Sequence, residues 1–237
     1  MFRISDTVKH LIIINVVVFI GTLTIMNGIF YDWFAMYFPK NDAFKPWQIF
    51  THMFMHGGIE HLLFNMLFLF FVGTGLELSI GSNKFLFLYI SAGVGALLLQ
   101  LGDNYFRYLL MESQALDLGA TPEQIVEIFK EDKIFKDIGP KFNQIYNSIS
   151  MGASGAIMGV FAAYAFLFPN REVFLLFPPI PIKIKYLAVG MIGADFLAGL
   201  LTGTPLLANS NVGYFAHVGG ALTGVLMVWY WKKKRLL

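Results

Sequence analysis

Six stretches of mostly apolar residues, at about 8–28, 61–80, 84–102, 151–168, 184–202 and 213–231, constrain this chain more than any other feature. A helix that crosses a bilayer needs roughly 20 such residues. Only helices and closed barrels satisfy every backbone group in lipid. Composition agrees, with 57% hydrophobic residues, 14% charged residues and a mean hydropathy of +0.63, against about 25% charged in soluble domains. The expectation is an all-α membrane protein, one domain over residues 1–237 with six transmembrane helices. No small-residue cleavage site follows the first stretch, which is read as a retained helix and not a signal peptide. A net charge of +2 gives no reason to expect nucleic acid, and the absence of Cys removes disulfides, thiolate metal sites and a cysteine nucleophile.

Lys and Arg in short connections mark the cytoplasmic side. With both termini inside, ten of the 17 basic residues fall in short inner segments, among them Arg3, Lys9, Lys84, Arg171, Lys183, Lys185 and the run Lys232 to Arg235. The other seven lie in two long connections, whose charge hardly steers topology. Trp229-Tyr230-Trp231 before that basic run reads as an aromatic belt with an anchor. The one extended polar region, about 103–148, holds eight acidic and five basic residues and should project outside the membrane. Thr121, Pro122 and Gln124 form a helix-start signature. With an earlier helix at about 104–118 ending at Gly119, the pair is expected to form an extramembrane amphipathic hairpin between the third and fourth spans.

Polar side chains inside a membrane are functional candidates because burying them unpartnered costs several kcal/mol or more. Spans two, four and six run inward, so His61, Asn65, Ser154 and His217 all fall within about five residues of an outer end. Three helices thus deliver a Ser, two His and an Asn to one depth. Gly155, Gly159 and Ala163 form a small-residue row on span four, and Gly213, His217, Gly220 and Gly224 share a face of span six. Small residues let helices approach closely in lipid, which would bring the His217 imidazole to Ser154. A hydroxyl needs a base to become a nucleophile, and neutral His supplies one. His61 and Asn65, four apart on one face, with the Ser154 N–H, would stabilise an oxyanion. Nothing acidic stands where a third triad member is expected, so a Ser-His dyad is the economical reading. Asp195, past the middle of the outward-running fifth span, could instead orient His217, a contact that the sequence leaves open. His52, His56 and His61 could suggest zinc, but no HExxH glutamate accompanies them; no metal or cofactor is expected, and the loop histidines are read as donors to backbone carbonyls.

Together, His52-xxx-His56-xxxx-His61-xxx-Asn65, Gly152-Ala153-Ser154-Gly155 and Ala216-His217-xx-Gly220-xxx-Gly224 resemble the rhomboid family of intramembrane serine proteases. The motifs fall in the family's order and helices, over about residues 45 to 228. The resemblance implies a six-helix rhomboid-like bundle that cleaves single-span transmembrane proteins near the outer membrane face. It implies Ser154 as nucleophile, His217 as general base and acid, His61 and Asn65 as oxyanion stabilisers, and Trp47, His52, His56 and Glu77 as structural residues. Gly152, Gly155, Gly159, Gly220 and Gly224 would serve packing, and the fifth span would be a lateral gate. Two departures stand out. Many bacterial members carry Arg after the loop Trp and Tyr four residues after the nucleophile, where this chain has Gln48 and Met158.

A catalytically silent relative that binds and escorts membrane clients is the alternative. Such relatives lack the Ser or the His, and both are present here. The chain has no transit-like leader, and the expected location is a bacterial plasma membrane, with both termini cytoplasmic. Neither oligomeric state nor substrate identity is legible.

Overall fold

The computed structural model describes residues 4–25, 28–131, 133–174, 180–201 and 213–237. Arg3, the end of the first expected span at 26–27 and residue 202 of the fifth lie outside the described residues. The first span is α1 (Asp6–Thr24), which buries Val8, Leu11, Asn15 and Phe19 along one face. After α2 (Ile29–Phe34), β1 (Met36–Tyr37) and α3 (Gln48–Thr51), a 3-10 turn over His52–Phe54 leads toward the second span. That span is one rod over Ile59–Ile80, made of α4 (Ile59–Phe68), a π turn at Leu69–Gly73 and α5 (Thr74–Ile80).

Next comes α6 (Ser82–Asp117), then α7 (Pro122–Lys130), α8 (Pro140–Tyr146) and β2 (Ile149–Ser150). The remaining helices are α9 (Ser154–Leu167), α10 (Ile184–Leu201) and α11 (Tyr214–Lys233), with a β3–β4 ribbon (Glu172–Phe174 and Pro181–Lys183) between α9 and α10. Among the described residues the regular structure is thus helical apart from two short antiparallel ribbons that the sequence did not signal. One pairs Met36 with Ser150 and Tyr37 with Ile149, tying the first loop to the segment before α9. Among the described residues, α1, Ile59–Ile80, α6 and α10 are long and apolar enough to cross a membrane; α9 is a shorter apolar helix.

The inner helices are built on glycine. From Gly155 to Ala165 every residue of α9 is buried, so this helix is apolar all round, as a central one must be. A Cβ on Gly220 of α11 would stand 1.9 Å from the Gly155 carbonyl oxygen, and one on Gly224 would stand 2.1 Å from that of Gly159. On the other side, Cβ atoms on Gly155 and Gly159 would meet Ala96 and Ala92 of α6 at 2.5 and 2.3 Å. Backbone therefore meets backbone across α9 and α11, in a solvent where close van der Waals contact must replace the hydrophobic effect between helices.

Glu77 closes the opposite end. Its carboxylate accepts from Ser5 Oγ at 2.6 Å, the Thr7 and Val8 N–H groups at 3.0 Å each, and Ser82 Oγ at 2.7 Å. The first turn of α1 has backbone donors without helical partners, and a buried carboxylate there satisfies them while complementing the helix dipole. The same residue pins α1 to the junction of α5 and α6.

The polar region differs from the expected hairpin. No break separates a third span at 84–102 from a helix at 104–118, because α6 runs unbroken for 36 residues, about 54 Å at 1.5 Å per residue. Asp103 and Arg107 interrupt hydropathy without interrupting the helix. They are four apart and bridged at 2.9 Å, which supports a helix. The end falls where expected: Gly119 takes φ +90°, and the Gly119 and Ala120 N–H groups return to the Leu116 and Ala115 carbonyls. That pair of bonds is a Schellman cap. The Thr121–Gln124 capping box then starts α7, as the sequence indicates. A further helix, α8, was not foreseen. Together they enclose an aromatic core of Phe38, Tyr108, Phe129, Phe142 and Tyr146, with Phe129 edge-on to Phe142 at 4.7 Å and stacked on Tyr146 at 4.6 Å.

Replacing Gly220 with Val should force α11 off α9. We expect a destabilisation of about 1–3 kcal/mol, typical of overpacking, read as a lower unfolding midpoint in detergent. An unchanged midpoint would show that the two backbones are not in contact.

Candidate active site

Ser154 is the first residue of α9, and His217 lies in the first turn of α11. The glycine contacts set the spacing of those helices, and at that spacing His217 Nε2 is 3.0 Å from Ser154 Oγ. The first N–H groups of a helix lack intrahelical partners and carry the positive end of the dipole. Ser154 therefore presents its hydroxyl beside free backbone donors. Behind it, Gly152 takes φ +122°, where a Cβ would stand 2.8 Å from Cε1 and 2.9 Å from Nε2 of His61. Glycine is needed there on both counts, strain and space. It seats the His61 ring against the backbone two residues before Ser154.

Asn65 stands one turn further along α4, 7% exposed, and its Nδ2 has no hydrogen-bond partner among the described residues. A buried unpaired amide donor costs about 1–3 kcal/mol. The structure brings Ser154, His217 and His61 together directly. Asn65 is buried on the same helix as His61 but does not line the cavity.

The contact left open beside the dyad is present. Asp195 Oδ2 of α10 is 3.0 Å from His217 Nδ1, so the imidazole stands between a hydroxyl and a carboxylate. Both side chains are mostly enclosed, at 18% and 19% exposure. The position of Asp195 along α10 was legible in the sequence. Its lateral neighbour was not, because nothing in the α10 sequence says which face meets α11.

The first loop is organised by Gln48, fully buried. Its Oε1 accepts from the Lys45 and Tyr37 N–H groups at 3.0 and 3.3 Å, and its Nε2 donates to the Asp32 and Ala43 carbonyls at 3.1 and 3.3 Å. One amide thus ties four backbone groups of a loop that would otherwise leave them bare. The Gln48 carbonyl also pairs with His52 Nδ1 at 2.9 Å, and the His52 carbonyl accepts from the Gly152 N–H at 3.0 Å. A chain of contacts therefore runs from Gln48 through His52 to the residues before Ser154. His56 is buried edge-on to His61, their ring centres 5.0 Å apart. Trp47 stacks on Trp33 and donates from Nε1 to its carbonyl at 2.7 Å. Met158 is a buried core residue one turn below Ser154. No cluster of three His, Asp or Glu among the described residues is arranged to hold a metal.

A cavity of about 890 Å³ opens over this site. His61, Gly152 and Ser154 line its inner part, and Asp103, Arg107 and Lys141 line its outer part. The extended end of α6 and the residues around α8 thus form one wall. Burial, and then the Arg107 guanidinium, pull the Lys141 ammonium below its ordinary pKa, against the opposing pull of Asp103.

An enclosed Ser and His in hydrogen-bond contact, flanked by a carboxylate and set among apolar helices, define an integral membrane protein with a hydroxyl, an imidazole and a carboxylate gathered at one site. The Rhomboid domain family model matches residues 43–234, and the chain belongs to the rhomboid family. It is 29% identical over 187 residues to rhomboid protease AarA of Providencia stuartii, covering 76% of this chain and 54% of that protein. It is 28% identical over 200 residues to the mitochondrial rhomboid protein 1 of Saccharomyces cerevisiae, covering 84% and 45%. A shorter match of 69 residues, 38% identical, covers 29% of this chain and 25% of rhomboid protease GlpG of Salmonella typhi. The chain spans about half the length of the first two.

Truncating Gln48 to Ala would strand buried backbone groups at about 1–3 kcal/mol for each one left unpaired. We expect Gln48→Ala to lower the detergent unfolding midpoint clearly more than Trp47→Ala, whose side chain is 42% exposed. Equal midpoints would show that the amide does not organise the loop.

Proposed function

We propose that this protein is an intramembrane serine endopeptidase acting on single-span transmembrane proteins near the outer membrane face. The observation that carries the reading is the 3.0 Å contact of His217 Nε2 with Ser154 Oγ, Ser154 itself lining the cavity. His217 takes the hydroxyl proton as Ser154 Oγ bonds to the scissile carbonyl carbon. The resulting oxyanion is stabilised by the Ser154 N–H, His61 and the unpaired Asn65 amide. The protonated imidazole then gives its proton to the leaving amine as the C–N bond breaks, leaving an acyl-serine. Water, deprotonated by the same imidazole, hydrolyses that ester and restores the hydroxyl.

Six spans with both termini cytoplasmic accommodate this chemistry, and a bacterial plasma membrane is the proposed location. The shortness of α9 supports the depth. Its 14 residues reach about 21 Å at 1.5 Å each, short of a hydrocarbon core of about 30 Å. With its far end at the inner boundary, Ser154 lies below the outer surface, where a peptide bond needs a route for water. The cavity supplies that route. Its outer wall of Asp103, Arg107 and Lys141 is the surface a substrate's juxtamembrane residues would meet.

Purified protein in detergent or liposomes, incubated with a panel of single-span substrates, tests the reading. Ser154→Ala and His217→Ala are each expected to abolish cleavage, and persistence in Ser154→Ala would overturn the mechanism. Asn65→Ala should lower kcat by about 10²–10³, as loss of an oxyanion donor does, with KM little changed; an unaltered rate would remove Asn65 from the site. Stable capture of substrates without cleavage by the wild type would point instead to a client-binding role.

A further inference from the structure

We propose that Asp195 is a positioning residue that makes the Ser154–His217 pair a three-membered relay, with the third member supplied by α10. The inference rests on the protease reading for its activity test, though the contact stands apart from that reading. Three observations carry it. Asp195 Oδ2 meets His217 Nδ1 at 3.0 Å while His217 Nε2 meets Ser154 Oγ at 3.0 Å, so the two ring nitrogens face the two groups at once. An ionisable side chain in a membrane helix is expensive and needs a partner, and Asp195 has the imidazole. Finally, α10 buries only Ile184, Ala188 and Gly199, so the core does not explain a carboxylate on this face.

The chemistry follows from hydrogen inventories. An ionised carboxylate only accepts, so the Nδ1 of His217 facing Asp195 must carry the ring proton. The Nε2 lone pair is then left toward Ser154 Oγ, the one tautomer able to take the hydroxyl proton. Without the carboxylate the imidazole divides between two tautomers and turns more freely about its side-chain bonds. When the imidazole becomes charged during the reaction, the same carboxylate stabilises it without itself gaining a proton.

The position of Asp195 adds a consequence. Ser154 and His217 sit on α9 and α11, locked by glycine contacts, whereas Asp195 sits on the lightly packed α10. That helix is seated near the site by Phe196 edge-on to Phe215, by Gly199, where a Cβ would stand 3.0 Å from the Phe215 ring, and by the Arg107 guanidinium donating to the Gly199 carbonyl at 3.4 Å. The correct imidazole tautomer is thus set by a helix that reaches the pair from the side, and it is lost whenever α10 moves away.

The test compares wild type, Asp195→Asn, Asp195→Glu and Ser154→Ala in detergent, reading kcat, KM, the unfolding midpoint and the ¹⁵N signals of the imidazole assigned by their loss in His217→Ala. Asparagine preserves size but can present its NH₂ to Nδ1 and so favour the wrong tautomer. We expect kcat to fall at least tenfold, and up to about 10⁴ as for the equivalent change in a soluble triad. KM should be unchanged, the Nδ1–H signature should be lost, and Asp195→Glu should restore part of the rate. Wild-type kcat and tautomer in Asp195→Asn would overturn the proposal. So would equal losses in Asn and Glu that follow a lowered unfolding midpoint, since that pattern is purely structural. If the wild type cleaves nothing, the protease reading fails, while the ¹⁵N comparison of wild type with Asp195→Asn still decides whether the carboxylate sets the tautomer.

Discussion

The close approach of α9 and α11 is the contact on which the rest depends. Lipid offers helices no hydrophobic reward for meeting, so association rests on van der Waals contact at short range. Gly155 and Gly159 against Gly220 and Gly224 supply it, with carbonyl oxygens where side chains would otherwise stand. Ser154 immediately precedes one of these glycines and His217 lies three residues before another, so the packing that holds the bundle also sets the distance between hydroxyl and imidazole.

Around that contact, polar groups withdrawn from solvent are matched to specific partners. Glu77 answers the bare donors at the start of α1, Gln48 answers four backbone groups of the first loop, and Asp195 answers His217. Each is costly alone and inexpensive in its place. Asn65 keeps an unpaired amide donor among the described residues. The aromatic core of Phe38, Tyr108, Phe129, Phe142 and Tyr146 packs against the far half of α6, which walls one side of the cavity.

Much of this was legible in the sequence. Hydropathy located the helices, Gly119 and the Thr121–Gln124 signature marked a helix end and the next start, and the spacing of His61, Asn65, Ser154 and His217 put them at one depth. Three features were not legible. The unbroken α6 was hidden because Asp103 and Arg107 lower hydropathy as a break would, although a helix tolerates a salt-bridged pair. The hub formed by Gln48 was hidden because its partners are backbone groups, which carry no residue code. Asp195 was named as a candidate partner of His217 but the contact stayed open, because the face of α10 that meets α11 depends on packing outside α10 itself.

By itself, the sequence determined that the chain lives in lipid, which residues are polar there, and the height of each along its helix. Those properties follow from solvation and helical rise, which are local. Only the tertiary structure decided which of those residues touch. Lateral contact is set by the rotation and spacing of whole helices, and these are settled by glycine-to-carbonyl packing between segments some 60 residues apart in the chain. That packing brings a carboxylate from α10, an imidazole from α11 and a hydroxyl from α9 into line.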